Sequence, residues 1–102
     1  MSAIRMEATL AANAEARVTV DGLWCIFYEF RQDGRKAGLI GTQRIGTGDA
    51  AAISAKAKAG QLKRGQGVRI FGAGLEREAL QIRVVGIDHV EAIATTHMER
   101  AA

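Results

Sequence analysis

Apolar and polar residues alternate along the first part of the chain. The apolar positions are Ile4, Met6, Ala8 and Leu10, with mostly polar residues between them. After a break near residues 12–15, the alternation resumes at Ala16, Val18 and Val20. A period of two is typical of a strand that buries one face. The pattern therefore predicts one long strand that bends.

Two turn signals separate this strand from the next ones. Asp21-Gly22 is a strong hairpin signal and leads into LWCIFYEFR (23–31), which holds four of the five aromatic residues. The second signal, at residues 32–35, precedes a weaker strand over about 37–45. Because both turns are short, we expect the first three strands to form an antiparallel meander.

The composition then changes to an alanine-rich run. AAAISAKAKA, after Gly48-Asp49, predicts a helix of two to three turns in which Asp49 caps the first turn and Gly60 lies near the end. A fourth strand, GVRIFGAGL (67–75), is predicted next. A charged corner at residues 76–78 separates it from a fifth strand, LQIRVVGI (80–87).

This order of elements predicts an all-β fold. Five antiparallel strands with one helix between the third and fourth have the connectivity of the OB-fold, a small, partly open barrel. We expect the OB-fold domain to cover residues 1–93 and the tail, 94–102, to be disordered. A ferredoxin-like sandwich is the main alternative, but it needs a helix after the first strand, and the pattern predicts none there.

Composition limits the function classes without choosing one. The chain has 102 residues and 48% apolar content, which fits one globular domain. No apolar run approaches the roughly 20 residues of a membrane-spanning helix, and the N-terminus lacks a signal-peptide pattern, so we expect a cytoplasmic protein. A formal charge of +3 is compatible with an anionic partner but does not require one.

The reactive residue types are few and scattered. Cys25 is the only cysteine and lies in an apolar run, so we expect a half-buried structural thiol. His89 and His97 lack companions at metal-ligand spacing. No serine–histidine or cysteine–histidine pair has a supporting context. We therefore expect a protein that is not an enzyme and that has no metal and no cofactor.

The glycine-rich stretch KRGQGVRIFGAGLE (63–76) admits two interpretations. A phosphate-binding loop needs glycines between a strand and a helix, so that helix amides meet the phosphate. Here Gly65 and Gly67 precede a strand, and Gly72 and Gly74 lead into a charged corner. The stretch therefore favours a barrel strand with bends.

Strand parity separates core positions from surface positions. The predicted core positions are Ile26, Tyr28, Phe30, Val68, Ile70, Leu80, Ile82 and Val84. The outward positions then include Phe27, Arg31, Arg69, Phe71 and Arg83. Rings interleaved with cations suit a single nucleic-acid strand, whose bases stack on the rings while its phosphates pair with the cations.

Several other residues are candidates for the same surface. Trp24 is either a plug at the edge of the core or a stacking platform, and Lys36 lies at the loop after the second strand. The candidate nucleic-acid-binding residues are Trp24, Phe27, Arg31, Lys36, Arg44, Arg69, Phe71 and Arg83. Two alternatives stay open: a dimer partner or the helix covers Phe27 and Phe71, or the parity of the second strand is reversed and Trp24 and Tyr28 are the exposed rings.

The segment LKRGQGVRIFGAGLE…LQIRVVGIDHVEAI resembles the last two strands of bacterial single-stranded DNA-binding proteins and of primosomal replication protein N. The matching positions are Arg64-Gly65, Val68, Ile70, Gly72 and the stretch 84–93. The helix AAAISAKAKAGQLKRG and the segment EARVTVDG resemble the equivalent parts of the same families. The resemblance implies an OB-fold that binds single-stranded DNA, acts in DNA replication and assembles into homodimers or homotetramers.

The chain also departs from these families. Its third strand, GLIGTQRIG, lacks their aromatic residues, its loops are short, and HMERAA at its C-terminus lacks their acidic tail. These departures suggest a reduced member of the group, of plasmid or phage type. The alternative function is a homo-oligomeric assembly subunit that has lost DNA binding.

Overall fold

The computed structural model describes residues 3–93, which form eight strands and one helix. The elements are β1 (Ile4–Leu10), β2 (Glu15–Val18), β3 (Leu23–Arg31), β4 (Gly38–Thr47), α1 (Asp49–Gln61), β5 (Gly67–Gly72), β6 (Gly74–Glu78), β7 (Gln81–Ile87) and β8 (His89–Ala92). All strands belong to one sheet in the order β6-β7-β4-β3-β1-β5-β8, with β2 paired to β3. The prediction of a mostly β domain with one short helix is confirmed. In the described part of the chain, α1 is too short and too polar to cross a membrane.

The predicted first strand is divided into β1 and β2 by residues 11–14. β1 pairs along its length with β5, and its last two residues also pair with β3. β2 pairs with β3, which pairs with β4, so the antiparallel meander is confirmed. The connection 11–14 contains no helix, which removes the main support for a ferredoxin-like sandwich.

The pairing of β4 with β7 is parallel, so the prediction of an entirely antiparallel sheet is wrong. A parallel pair needs a long crossover connection, which α1, β5 and β6 supply here. The two strands approach closely at Gly41, where a Cβ atom would lie 3.2 Å from the carbonyl oxygen of Val84 and would overlap the side chain of Ile87. A side chain at this position would displace the Ile87 side chain and push against the backbone of β7, which glycine avoids.

The last part of the chain differs from the prediction in three respects. Residues 76–78, predicted to be a corner, belong to β6, which pairs with β7. The turn lies at Ala79-Leu80, and Leu80, predicted to face the core, is 91% exposed. The strand β8 was not predicted, because only Val90 of its four residues is buried and the pattern is too short to detect.

The helix begins where the sequence predicts but is capped differently. Gly48 is the N-cap residue, with φ at +91°, and no side chain caps the helix, so the prediction that Asp49 is the cap is wrong. Asp49 lies in the first turn, where its negative charge interacts favourably with the positive end of the helix dipole. Ala51, Ala55 and Ala59 form the buried side of α1, and their small side chains let the helix approach the sheet closely.

The core contains the predicted inward side chains other than Leu80. They are Ile26, Tyr28, Phe30, Val68, Ile70, Ile82 and Val84. The buried polar groups are Tyr28 and Gln43, whose side chains bind each other: the Tyr28 hydroxyl donates to Gln43 Oε1 at 2.8 Å. Gln43 Nε2 in turn donates to the carbonyl oxygen of Asp88 at 2.9 Å. Burial raises the pKa of the Tyr28 hydroxyl above its ordinary value, which keeps it a donor.

Tyr28→Phe should lower the free energy of unfolding by about 1–3 kcal/mol, because it leaves the buried Gln43 Oε1 without its donor. Urea denaturation followed by far-UV circular dichroism measures the loss. In a Gln43→Met background the same change should cost less, because no amide oxygen is then left unpaired. An equal cost in both backgrounds would contradict the role given to this hydrogen bond.

Candidate nucleic-acid interface

The outward side chains of β2, β3 and β4 form one surface, the β2–β4 face. The cross-strand register places Arg17 and Arg44 on either side of Cys25, and it places Glu15 beside Phe27. Directly opposed residues in a sheet point to the same side, and outward residues along one strand are about 6.7 Å apart. The members of this face are Glu15, Arg17, Cys25, Phe27, Glu29, Arg31, Thr42 and Arg44.

Phe27 is the aromatic residue of the β2–β4 face. Its ring is half-buried. Ile26, Tyr28 and Phe30, which point to the opposite side of β3, are buried, and this confirms that Phe27 faces outward as predicted. Arg17 covers part of the ring, with its Cζ 4.2 Å from the ring centroid. The same guanidinium donates from Nε (3.1 Å) and Nη2 (2.8 Å) to Glu15 Oε1. The ring is thus partly covered by its own chain.

Two of the predicted cations on this face are available to an anion. Arg31 and Arg44 are both exposed, and within residues 3–93 neither forms an ion pair or a side-chain hydrogen bond. Lys36, in the exposed loop between β3 and β4, likewise makes no ion pair with the described residues. These three charges are not neutralised locally, so they remain free to meet phosphates.

Arg69 is held by two carboxylates on a different part of the sheet. It lies on β5 between β1 and β8, where its Nη2 is 2.9 Å from Glu7 Oε2 and its Nη1 is 3.2 Å from Glu91 Oε2. The hydrogen bond with Glu7 raises the pKa of Arg69 above its ordinary value. A phosphate at this position would have to compete with both carboxylates.

Phe71 lies on β5 beside Arg69, away from Phe27. The register places it between Arg5 on β1 and His89 on β8. Its ring is half-buried, with its centroid 5.7 Å from that of His89, and His89 Nε2 is 3.0 Å from Glu91 Oε1. The register pairs Arg31 with Thr9 and Arg5 with Phe71, so Phe71 lies on the same side of the sheet as Phe27. The two rings are on strands that have β1 between them.

Arg83 lies nearer the β2–β4 face but is also paired. Ile40 on β4 is opposite both Glu29 on β3 and Arg83 on β7, which places Arg83 on the same side of the sheet. Its Nε and Nη2 lie 2.7 and 3.3 Å from the two carboxylate oxygens of Glu78. This hydrogen bonding raises the pKa of Arg83 above its ordinary value. The ion pair with Glu78 therefore neutralises much of the positive charge of Arg83.

Trp24 lies on the other side of β3 from Phe27. It packs against the core, and the Nζ of Lys56 on α1 is 5.1 Å from its ring centroid. This position fits the plug at the edge of the core, the first of the two roles considered for Trp24. The reversed parity of the strand is excluded, because Tyr28 is fully buried.

Cys25 is more buried than predicted, with 8% exposure. It points to the outer side of β3 between the strands that carry Arg17 and Arg44. Across residues 3–93, no three histidine, cysteine or acidic side chains are grouped so that they would hold a metal ion. The predicted tail, 94–102, and His97 lie outside the described residues.

Arg17 is the residue of this face that the strand-by-strand sorting misses. The hairpin turn runs from Thr19 to Gly22, one residue earlier than the Asp21-Gly22 signal indicates. This turn sets the register that places Arg17 opposite Cys25 and diagonal to Phe27. Sorting each strand by itself does not show such diagonal neighbours. His89 and Glu91 were missed because β8 was not predicted.

No protein-family model matches this chain, and no curated protein matches it.

Proposed function

We propose that this chain binds single-stranded nucleic acid, DNA in the first place, through the β2–β4 face of a five-stranded OB-type barrel. The observation that carries the proposal is Phe27, a half-buried ring on the same face as Arg31 and Arg44, which form no ion pair with any residue of the described range 3–93. Stacking of a base on an aromatic side chain is worth about 1–3 kcal/mol. Arg44 is opposite Cys25, six residues along β3 from Arg31, so the two cations lie on either side of Phe27 and can supply separate phosphate contacts.

The proposed barrel is supported by contacts between β5 and β7, which lie next to the two ends of the sheet. From β5 the sheet order runs through β1, β3 and β4 to β7. β5 and β7 then meet, because Ala73 N–H donates to the Val85 carbonyl at 2.8 Å and Asp88 N–H donates to the Phe71 carbonyl at 2.8 Å. A path of five strands that returns to its start is the arrangement of a small barrel. In OB-folds the second and third strands carry the binding face, and these correspond to β3 and β4.

The proposal also draws on the resemblance of this sequence to single-stranded DNA-binding proteins and to primosomal replication protein N. The role we propose is binding without catalysis, in DNA replication. The paired state of Arg69 and Arg83 restricts the proposed face to fewer cations than the sequence predicts. We therefore expect a short contact of a few nucleotides for each copy of the chain.

Phe27→Ala should weaken binding of a fluorescein-labelled oligo(dT) by about 5- to 150-fold, because it removes the ring on which the stacking surface is built. Fluorescence anisotropy at low salt measures the dissociation constant. Phe71→Ala is the matched control: it removes a second half-buried ring, whose neighbour Arg69 is already neutralised, and should change affinity little. An equal loss in both variants would contradict the assignment to the β2–β4 face.

Arg31→Ala combined with Arg44→Ala should reduce the salt dependence of binding. Each phosphate contact contributes about −0.7 to the slope of log K against log salt for a single strand, so the slope should become less steep by about 1.4. Anisotropy titrations at four salt concentrations give the slope. Arg77→Ala, which removes an exposed charge on β6, should leave the slope unchanged. If the unmodified protein binds no oligonucleotide at low salt, the proposed function is wrong.

Self-association is the second candidate function, and exposed apolar side chains favour it. Val18 is 51% exposed on β2, Val20 is fully exposed after it, and Ile53 is 70% exposed on α1. If these side chains form an interface between copies, light scattering should give a dimer that persists in 1 M salt. Val18→Lys with Val20→Lys should then give monomers, whereas Leu80→Lys should not. A monomer at all protein concentrations would exclude this candidate.

A further inference from the structure

Glu15, Arg17 and Phe27 form an ordered stack on the β2–β4 face. Glu15 Oε1 accepts from both Nε (3.1 Å) and Nη2 (2.8 Å) of Arg17, so the carboxylate holds one edge of the guanidinium. The guanidinium carbon lies 4.2 Å from the centroid of the Phe27 ring. The guanidinium therefore makes an ion pair at its edge and a cation–π contact with the ring below it.

The strand register produces this stack. Glu15 is directly opposite Phe27, and Arg17 is two residues further along β2 on the same side, which makes it the diagonal neighbour of the ring. The Arg17 side chain is still 55% exposed. The guanidinium thus covers the ring without being enclosed, and a ligand approaching this part of the face meets Arg17 before it meets Phe27.

We infer that Arg17 is the stacking platform for a nucleobase and that Glu15 is its positioning residue. This inference rests on the proposed function and deepens it. Guanidinium planes stack on bases as aromatic rings do, and they add a positive charge for the neighbouring phosphate. Phe27 supports the guanidinium from below. Because Glu15 and Phe27 already order the long Arg17 side chain, less conformational entropy is lost when the base binds.

Stacking of the base directly on Phe27, rather than on Arg17, predicts a different effect of the Glu15 substitution on affinity. If the base stacks directly on Phe27, then Arg17 and Glu15 cover the binding surface and must move away. Removing the Glu15 carboxylate would then loosen the cover and would also remove a charge that repels phosphate. Both effects would strengthen binding. The platform predicts weaker binding, because Arg17 loses its orientation, so the sign of the effect separates the two arrangements.

The test compares two charge-neutralising substitutions on the same face. Glu29→Gln is the matched control, because Glu29 is the next outward residue of β3 after Phe27 and forms no ion pair within residues 3–93. Anisotropy with labelled oligo(dT) at low salt should show slightly tighter binding for Glu29→Gln and weaker binding for Glu15→Gln. Arg17→Lys should weaken binding about 5-fold or more while keeping the salt slope, because it retains the charge and loses the plane.

A second readout does not depend on the nucleic acid. In the free protein, the Arg17 Nε–Hε signal should be shifted upfield by the Phe27 ring and protected from solvent exchange. Glu15→Gln should remove the protection, and Phe27→Leu should remove the shift. Unchanged circular dichroism and melting temperatures would show that the variants are folded.

The outcomes separate the two proposals. If the unmodified protein binds oligo(dT) and Glu15→Gln behaves like Glu29→Gln or binds more tightly, the platform is wrong and the proposed function stands. An unshifted, rapidly exchanging Arg17 signal would also overturn the platform alone. Absence of binding by the unmodified protein would overturn both.

Discussion

The arrangement of the strands depends on the side chain of Gln43, a buried amide that links three parts of the chain. Its oxygen accepts from Tyr28 on β3 and its nitrogen donates to the carbonyl of Asp88, in the connection between β7 and β8. A buried amide has few partners available, so each of these hydrogen bonds fixes a relative position. The register of β4 against β7 changes between Gly41 and Gln43, where the amide reaches Asp88. The hydrogen bond to Asp88 therefore helps to position β8, which begins at the next residue, and with it the surface around Phe71.

Carboxylates on neighbouring strands form ion pairs with some of the outward arginines and thereby neutralise their charge. Glu7, Glu91 and Glu78 lie on strands next to Arg69 and Arg83 and hold their guanidinium groups. On the β2–β4 face, Glu15 is the carboxylate among residues 3–93 that has this role, and it orients Arg17 against Phe27. A chain with a small net charge can therefore concentrate positive charge on one part of a sheet, and the cross-strand register decides which part.

The parts of the fold that the sequence predicts are those governed by local periodicity. The strand 23–31 and its buried parity at Tyr28 follow from a period of two. The helix follows from its alanine-rich composition, since alanine has the highest helix propensity. β6 and β8 were missed because they are short edge strands that are held by ion pairs and backbone bonds more than by apolar side chains. The parallel pairing of β4 with β7 depends on the close approach at Gly41, which involves residues more than forty positions apart. The partners of Arg69 and Arg83 are likewise set by which strands become neighbours.

The turn at Ala79-Leu80 has a practical consequence for work on this protein. Both residues are exposed, and the Glu78–Arg83 ion pair closes the two strands just behind them. The course of the chain at the turn is therefore not fixed by core packing, and exposed tips of this kind accept added residues. A peptide epitope or a dye-binding sequence inserted between Ala79 and Leu80 would label the molecule while leaving its interior unchanged.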